Sequence, residues 1–310
     1  MSRKVALLKG GVSAEREVSL WSGEACAKAL REAGYDVTEI DVSKDIPRLI
    51  KQLQDAEPAV VFNALHGRWG EDGCVQGLLE LLGLTYTHSG VLSSALAMHK
   101  ERAKMIVSQV GVRVSESLTI QASALAKGDP LPRPYVIKPL SEGSSVGVHI
   151  VFEGDNHIAT TRAELGFDGD IMVERYIPGR ELTVAVMGGK ALAVTELAPK
   201  QGFYSYEAKY TDGKTEHIVP AQIPEEVYQE ALDAAEKAHQ ALGCNGVSRS
   251  DFRYDDTPKG DGKLYYLETN TQPGMSSLSL VPEQARYLDM SFPELCGWMV
   301  EDALQSREES

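Results

Sequence analysis

Cysteine is scarce: four residues in 310, at positions 26, 74, 244 and 296. None stands close to another, so neither a disulfide framework nor a zinc or CxxC spacing is present. They read as reduced, small core residues of a cytoplasmic protein. No apolar run is long enough to span a bilayer, and Met1-Ser2-Arg3-Lys4 leads at once into a short strand rather than a signal peptide. Positive charge is the scarcer sign, with 31 Lys and Arg against 45 Asp and Glu, a net charge of -14. No basic tract offsets it, which opposes a nucleic-acid or anionic-membrane partner. A polyanionic ligand must then be drawn by a local cluster of cations, because the global field repels it. The three-glycine fingerprint of dinucleotide sites is also missing: the first turn is Gly10-Gly11-Val12-Ser13, so a nicotinamide oxidoreductase is disfavoured. Internal repeats and low-complexity tracts are absent.

What remains is an ordinary globular composition, 43% apolar and 25% charged, long enough for two or three lobes. Residues 5–8 form a short apolar strand. A helix then runs to residue 33, with Val18, Cys26, Ala29 and Ala33 on one stripe and Gly34 ending it. Strands over 37–40 and 59–62 flank a second helix, an alternation that predicts a parallel sheet with ligands at the strands' carboxyl ends. Two features sit there: the turn carrying Glu15, and Asn63-Ala64-Leu65-His66-Gly67 followed by Gly70-Glu71-Asp72-Gly73. His66 suits a ligand contact or a hydrogen-bonded structural role equally.

A helix over 91–110 carries Lys100. Strand 134–139 contains Lys138, and Leu140-Ser141-Glu142-Gly143-Ser144-Ser145-Val146-Gly147 leads into the strand 148–151. Small residues let backbone N–H groups cradle phosphate oxygens. This is not a Walker loop, since the lysine precedes the glycines and the loop joins two strands. A flexible hairpin also explains the glycines, but not Lys138. Strand 171–176 and a hairpin of 181–187 with 191–197 follow. Residues 198–220 show no period and read as a lid or binding loop. Helix 225–243 turns Val227, Ala231, Ala234, Ala238 and Leu242 inward, and the tail after residue 301 reads as frayed.

Strands 247–254 and 264–270 are joined by turn residues, as in a loose hairpin. Alternation puts Arg249, Asp251 and Arg253 on one face, and Glu268 and Asn270 on another. If those faces coincide, two carboxylates and an amide oxygen meet beside a guanidinium. Such a cluster wants a cation, and oxygen-only ligands favour Mg2+ or Mn2+. Solvated charges near strand ends are the alternative.

With these pieces in order, the chain resembles the ATP-grasp superfamily and, within it, the D-alanine–D-alanine ligase family. The resemblance spans nearly the whole chain. It rests on Gly10-Gly11-Val12-Ser13-Ala14-Glu15-Arg16-Glu17-Val18-Ser19, Leu65-His66-Gly67, Lys138-Pro139 with Glu142-Gly143-Ser144-Ser145-Val146-Gly147, Tyr206-Glu207-Ala208-Lys209-Tyr210, Arg249-Ser250-Asp251, and Glu268-Thr269-Asn270-Thr271-Gln272-Pro273-Gly274-Met275. It implies an α/β chain of α+β lobes: an N-terminal parallel-sheet lobe over 1–93, a central ATP-grasp lobe over 94–178 and a C-terminal one over 179–310. ATP would phosphorylate the carboxylate of one D-alanine, and the amine of a second would attack the acylphosphate. Two Mg2+ (or Mn2+) ions would be held by Asp251, Glu268 and Asn270.

By the same resemblance, Lys100, Lys138, Lys209, Ser144 and Ser145 would bind phosphates. Glu174, Arg175 and Ile177 would frame the adenine, and Glu181 the ribose. Glu15 would hold the first ammonium group and link to Ser144 and Tyr210. Arg249 and the Gly274 N–H would stabilise the oxyanion, while His66, Ser279 and Leu280 complete the pocket. A homodimer is implied, with no nucleic-acid or membrane partner. His88 and His99 depart from the family's usual glycine and aspartate. Relatives acting on D-lactate or D-serine, and a non-catalytic nucleotide sensor, are the competing readings.

Overall fold

The computed structural model describes residues 2–141, 143, 147–155, 169–199, 215–276 and 279–308. Three sheets follow one another along the chain. The first is parallel, with β1 (Lys4–Gly10) between β2 (Asp36–Val42) and β3 (Val60–Asn63). Its crossovers are α1 (Arg16–Glu32) and α2 (Ile46–Ala56), the alternation that a parallel sheet requires. Asp45 caps α2, its carboxylate accepting from the Arg48 N–H at 3.1 Å. The stripe on α1 buries Val18, Cys26 and Ala29; Ala33, predicted to join them, falls just past the helix end and is exposed.

After α3 (Cys74–Leu81) the predicted helix over 91–110 is two: α4 (Val91–Met98) and α5 (Lys100–Gln109). The break is His99, extended at φ -92° and ψ 97°, whose ring accepts from the Arg102 N–H at the start of α5. Apolar periodicity ran through the junction and hid it.

The second sheet orders β4 (Ser117–Gln121), β7 (Asp170–Arg175), β5 (Tyr135–Pro139) and β6 (His149–Val151), all antiparallel. The third is the five-stranded antiparallel order of β10 (Thr215–Ile218), β9 (Lys190–Pro199), β8 (Arg180–Met187), β11 (Val247–Tyr254) and β12 (Leu264–Asn270). Part of the segment expected to lack structure is therefore strand: β9 reaches Pro199, and β10 pairs with it. Helix α6 (Glu225–Ala241) covers this sheet, burying the five inward residues named from its pattern. Helices α7 (Leu280–Tyr287) and α8 (Phe292–Glu308) complete the chain, so the tail expected to fray is helical to Glu308. Cys26, Cys244 and Cys296 are buried as expected, but Cys74, at the start of α3, is exposed.

Two hydrophobic clusters cross the sequence. One joins β1, α1 and β3 to Leu295, Met299 and Val300 of α8. The other joins Ala97, Ala103 and Val107 of α4 and α5 to the core between α6 and the third sheet. These tie the first sheet and the α4–α5 pair to the sheet that ends in β12.

Candidate active site

The hairpin of β11 and β12 carries the densest chemistry. Asp251 lies directly opposite Glu268, and Arg249 opposite Asn270, so the two predicted faces coincide. A bulge makes this compatible with the core. The register shifts between Asp251 and Phe252, where Phe252 pairs with Tyr266 and leaves Leu267 as the extra residue. Phe252 and Tyr266 are fully buried in the core, while Glu268 is turned to the opposite side. Plain alternation would have put Tyr266 and Glu268 on one face; the bulge separates them.

Asp251 is buried and held on both oxygens. Arg249 donates from Nε to Oδ1 at 2.9 Å and from a terminal nitrogen to Oδ2 at 2.8 Å. Thr183 of β8 donates to Oδ1 at 2.6 Å. Oδ1 has thus used both lone pairs, and Oδ2 meets one donor among the described residues. Lys100 Nζ stands 3.4 Å from Glu268 Oε2. Asn270 Oδ1 accepts from the Gln272 N–H at 2.7 Å, which turns the chain toward Gly274. A β-carbon at Gly274 would stand 3.0 Å from Ser279 Oγ. That hydroxyl also accepts from the Ser276 N–H at 2.9 Å.

Facing this wall are the carboxyl ends of β1 and β3. Glu15 and His66 are both buried. His66 Nε2 is 3.1 Å from Ser22 Oγ on α1, and Nδ1 is 3.5 Å from Glu71 Oε1. The histidine is therefore structural in its bonding and still lines the cavity. At Gly67 (φ +65°) a β-carbon would come within 2.6 Å of Glu15 Oε2; at Gly143 it would be 3.1 Å away. Gly143 thus lies close against Glu15. The enclosed space, about 200 Å³, is lined by Glu15, His66, Lys100, Arg249, Glu268 and Asn270 among others. Gly274, Ser279 and Leu280 close one end, and half-exposed Trp21 stands at its edge.

The remaining predicted residues lie on neighbouring strands. Lys138 Nζ is 2.5 Å from Glu174 Oε1, both buried. Arg175 stacks its guanidinium 5.2 Å from the centroid of Tyr265. The Ile177 carbonyl accepts from Arg253 Nε at 3.0 Å, and Arg253 also donates to Glu181 at 3.3 Å. Ser144, Ser145, Lys209 and Tyr210 fall outside the described residues.

Sequence reasoning missed four supports: Lys104, Ser115, Thr183 and Ser22. Lys104 had a signal, since it follows Lys100 by four residues on one helix and shares its face. The other three act through pairings of distant segments and left none.

The comparisons with known proteins decide the family. The D-ala D-ala ligase C-terminus family matches residues 107–301, and the D-ala D-ala ligase N-terminus family residues 45–89. The D-alanine–D-alanine ligase of Parvibaculum lavamentivorans is 56% identical over 304 residues, covering 97% of this chain and 98% of that protein. The chain belongs to the D-alanine–D-alanine ligase family. The ligase of Cereibacter sphaeroides is 55% identical over 304 residues, covering 98% of this chain and 97% of its own. Among solved structures, the D-alanine–D-alanine ligase of Bacillus anthracis superposes with a TM-score of 0.85 at 31% identity, covering 99% of both chains. The same ligase complexed with ATP gives 0.83 at 30% identity, covering 100% of this chain and 99% of that one. The ATP-grasp architecture expected from the motifs is thus the family's own. No helix among the described residues is long and apolar enough to cross a membrane.

Proposed function

We propose that this protein joins two D-alanine molecules at the expense of ATP, releasing D-alanyl-D-alanine, ADP and phosphate for cell-wall peptidoglycan. One observation carries the reading: Arg249, Glu268, Asn270 and Lys100 face Glu15 and His66 across one small cavity. Cations on one side of the cavity suit a phosphate, and the Glu15 carboxylate on the other suits an ammonium group.

The first D-alanine docks its ammonium on Glu15. Its carboxylate attacks the terminal phosphorus of ATP, and the bond to ADP breaks. Anion attacks anion, so charge must be neutralised at nearly every oxygen. Lys100 and Lys138 serve that end, joined by Lys209, Ser144 and Ser145 from the loops. The neutral amine of the second D-alanine then attacks the acylphosphate carbonyl. Arg249 and the Gly274 N–H receive the oxyanion, and the peptide bond forms as phosphate departs. Ser279 and Leu280 bound the second site, and Ser144 and Tyr210 extend the link from Glu15. Glu174, Arg175 and Ile177 frame the adenine, with Glu181 at the ribose.

Asp251, Glu268 and Asn270 would hold Mg2+ or Mn2+, two ions in the family's pattern. The donor set suits such an ion: Asp251 and Glu268 are opposite one another on neighbouring strands with Asn270 two residues on, and Asp251 Oδ2 meets one donor among the described residues. The ion supplies charge shielding on the phosphates. We divide the chain functionally at residues 93 and 178, with ATP between the later lobes, and assign it to the cytoplasm. A homodimer accounts for exposed Leu81, Val91 and Leu92 on α3 and α4.

The test is ADP formation against a panel of D- and L-amino acids and D-lactate. D-Alanine alone should support it, and equal rates with L-alanine would sink the assignment. Glu268→Gln and Arg249→Ala should each lower kcat by at least about 100-fold with the circular dichroism unchanged; turnover within a few-fold of wild type would remove these residues from the site.

A further inference from the structure

Glu174, on β7, is 3% exposed and boxed in by three donors. Lys138 of β5 meets Oε1 at 2.5 Å. Lys104 of α5 meets Oε2 at 2.7 Å, and Ser115 Oγ donates to the same oxygen at 2.9 Å. Lys104 Nζ donates to Ser115 Oγ as well, at 2.9 Å. A carboxylate oxygen has two lone pairs. Oε2 is saturated, and among the described residues Oε1 meets Lys138 alone and keeps one acceptor position.

We propose that Lys104 and Ser115 are positioning residues for the nucleotide: by filling Oε2 they hold Glu174 turned so that only Oε1 is offered, to Lys138 and to a donor on the base. The proposal rests on the reading that Lys138 and Glu174 serve ATP. A purely structural role explains the cluster poorly, because burying two ammonium groups and a carboxylate costs much of what their attraction returns. The helix also has a second use for the same face. Lys100, one turn earlier, reaches Glu268, so α5 sends one ammonium group toward each carboxylate.

The charged groups facing Glu174 among the described residues are Lys104 and Lys138. Burial pushes the Glu174 carboxyl up, and these two ammonium groups overcome it and hold it at about 2. Burial draws the Lys104 ammonium down from its ordinary value against the pull of Glu174. Removing Lys104 leaves the burial and takes away one of the two compensating charges, together with the contact that fixes the orientation of Glu174.

The experiment measures KM for ATP, KM for D-alanine and kcat in wild type, Lys104→Met, Ser115→Ala and Lys138→Met at one fixed pH. In Lys104→Met the ATP KM should rise about tenfold, the size expected when a charge-assisted hydrogen bond that orients Glu174 is lost. The D-alanine KM should stay within about twofold, which a general loss of packing would not permit. Ser115→Ala should move in the same direction by less, and it carries the test if Lys104→Met does not fold. ATP KM values in Lys104→Met and Ser115→Ala that match wild type, while Lys138→Met still raises the ATP KM, overturn the positioning role and leave the nucleotide reading standing. An unchanged ATP KM in Lys138→Met overturns the nucleotide reading, and the positioning role with it.

Discussion

Asp251 shows how much of this site is built from residues that never meet a substrate. Its carboxylate is fixed by Arg249 from its own strand and by Thr183 from the adjacent one. Thr183→Val keeps the volume and removes the hydroxyl donor. A support of this kind is worth about tenfold or more in metal affinity, so the Mg2+ concentration giving half-maximal phosphate release should rise by about that factor. An unaltered Mg2+ dependence would mean that Arg249 alone holds the carboxylate. Asp251, Glu268 and Asn270 were legible because alternation within one strand is a local rule. Thr183 was not, because which strand lies beside β11 is decided by the pairing of whole sheets. Ser22 behind His66 is the same case, supplied by a helix 44 residues away.

Elements were legible where a single period ran between clear stops. The bounds of β11 and β12 match the predicted runs, and the buried stripe of α6 is the one that its spacing gave. Two failures share a cause. The bulge at Leu267 and the break at His99 are one-residue departures inside segments that read as single unbroken elements. His99 caps α5 weakly, its ring nitrogen accepting from the Arg102 N–H at 3.4 Å. His99→Asp gives a shorter, charged acceptor at a helix N-terminus, a gain of about 0.5–1 kcal/mol. The thermal midpoint should rise by about 1–2 °C. A lower midpoint would show that the imidazole contributes packing that the cap does not replace.

At the scale of the whole molecule, acid acts through buried bases before it reaches the carboxylates. Burial drives the His88 imidazole to about 4 from 6.5, with the Val247 carbonyl offsetting part of it. His239 is lowered to about 4 by burial as well. Both are below their unfolded value, so between about 6.5 and 4 the unfolded chain binds more protons. Their stabilisation is complete above that window and lost as pH falls through it, on the order of 3 kcal/mol for His88. Glu174 adds a second loss between 4.5 and about 2. The urea midpoint should therefore drop from about pH 7 to about pH 5. His88→Asn should flatten that drop, since asparagine tolerates the left-handed backbone that His88 adopts (φ +70°). An equally steep drop in that variant would assign the loss elsewhere. The ATP-grasp fold was readable from motif order, but the contacts that join the first sheet to the chain after β12 were not. Asn63 Nδ2 donates to Gln272 Oε1 at 3.0 Å, and Gln272 Nε2 donates back to the Asn63 carbonyl at 2.5 Å, across 209 positions. Gln272 stands two residues before Gly274. A polypeptide emerging from the ribosome can assemble its parallel sheet early, yet that sheet's inner flank waits, oily and uncovered, until α8 has been synthesised. The cavity between Glu15 and Glu268 is thus among the last parts of the growing chain to be finished.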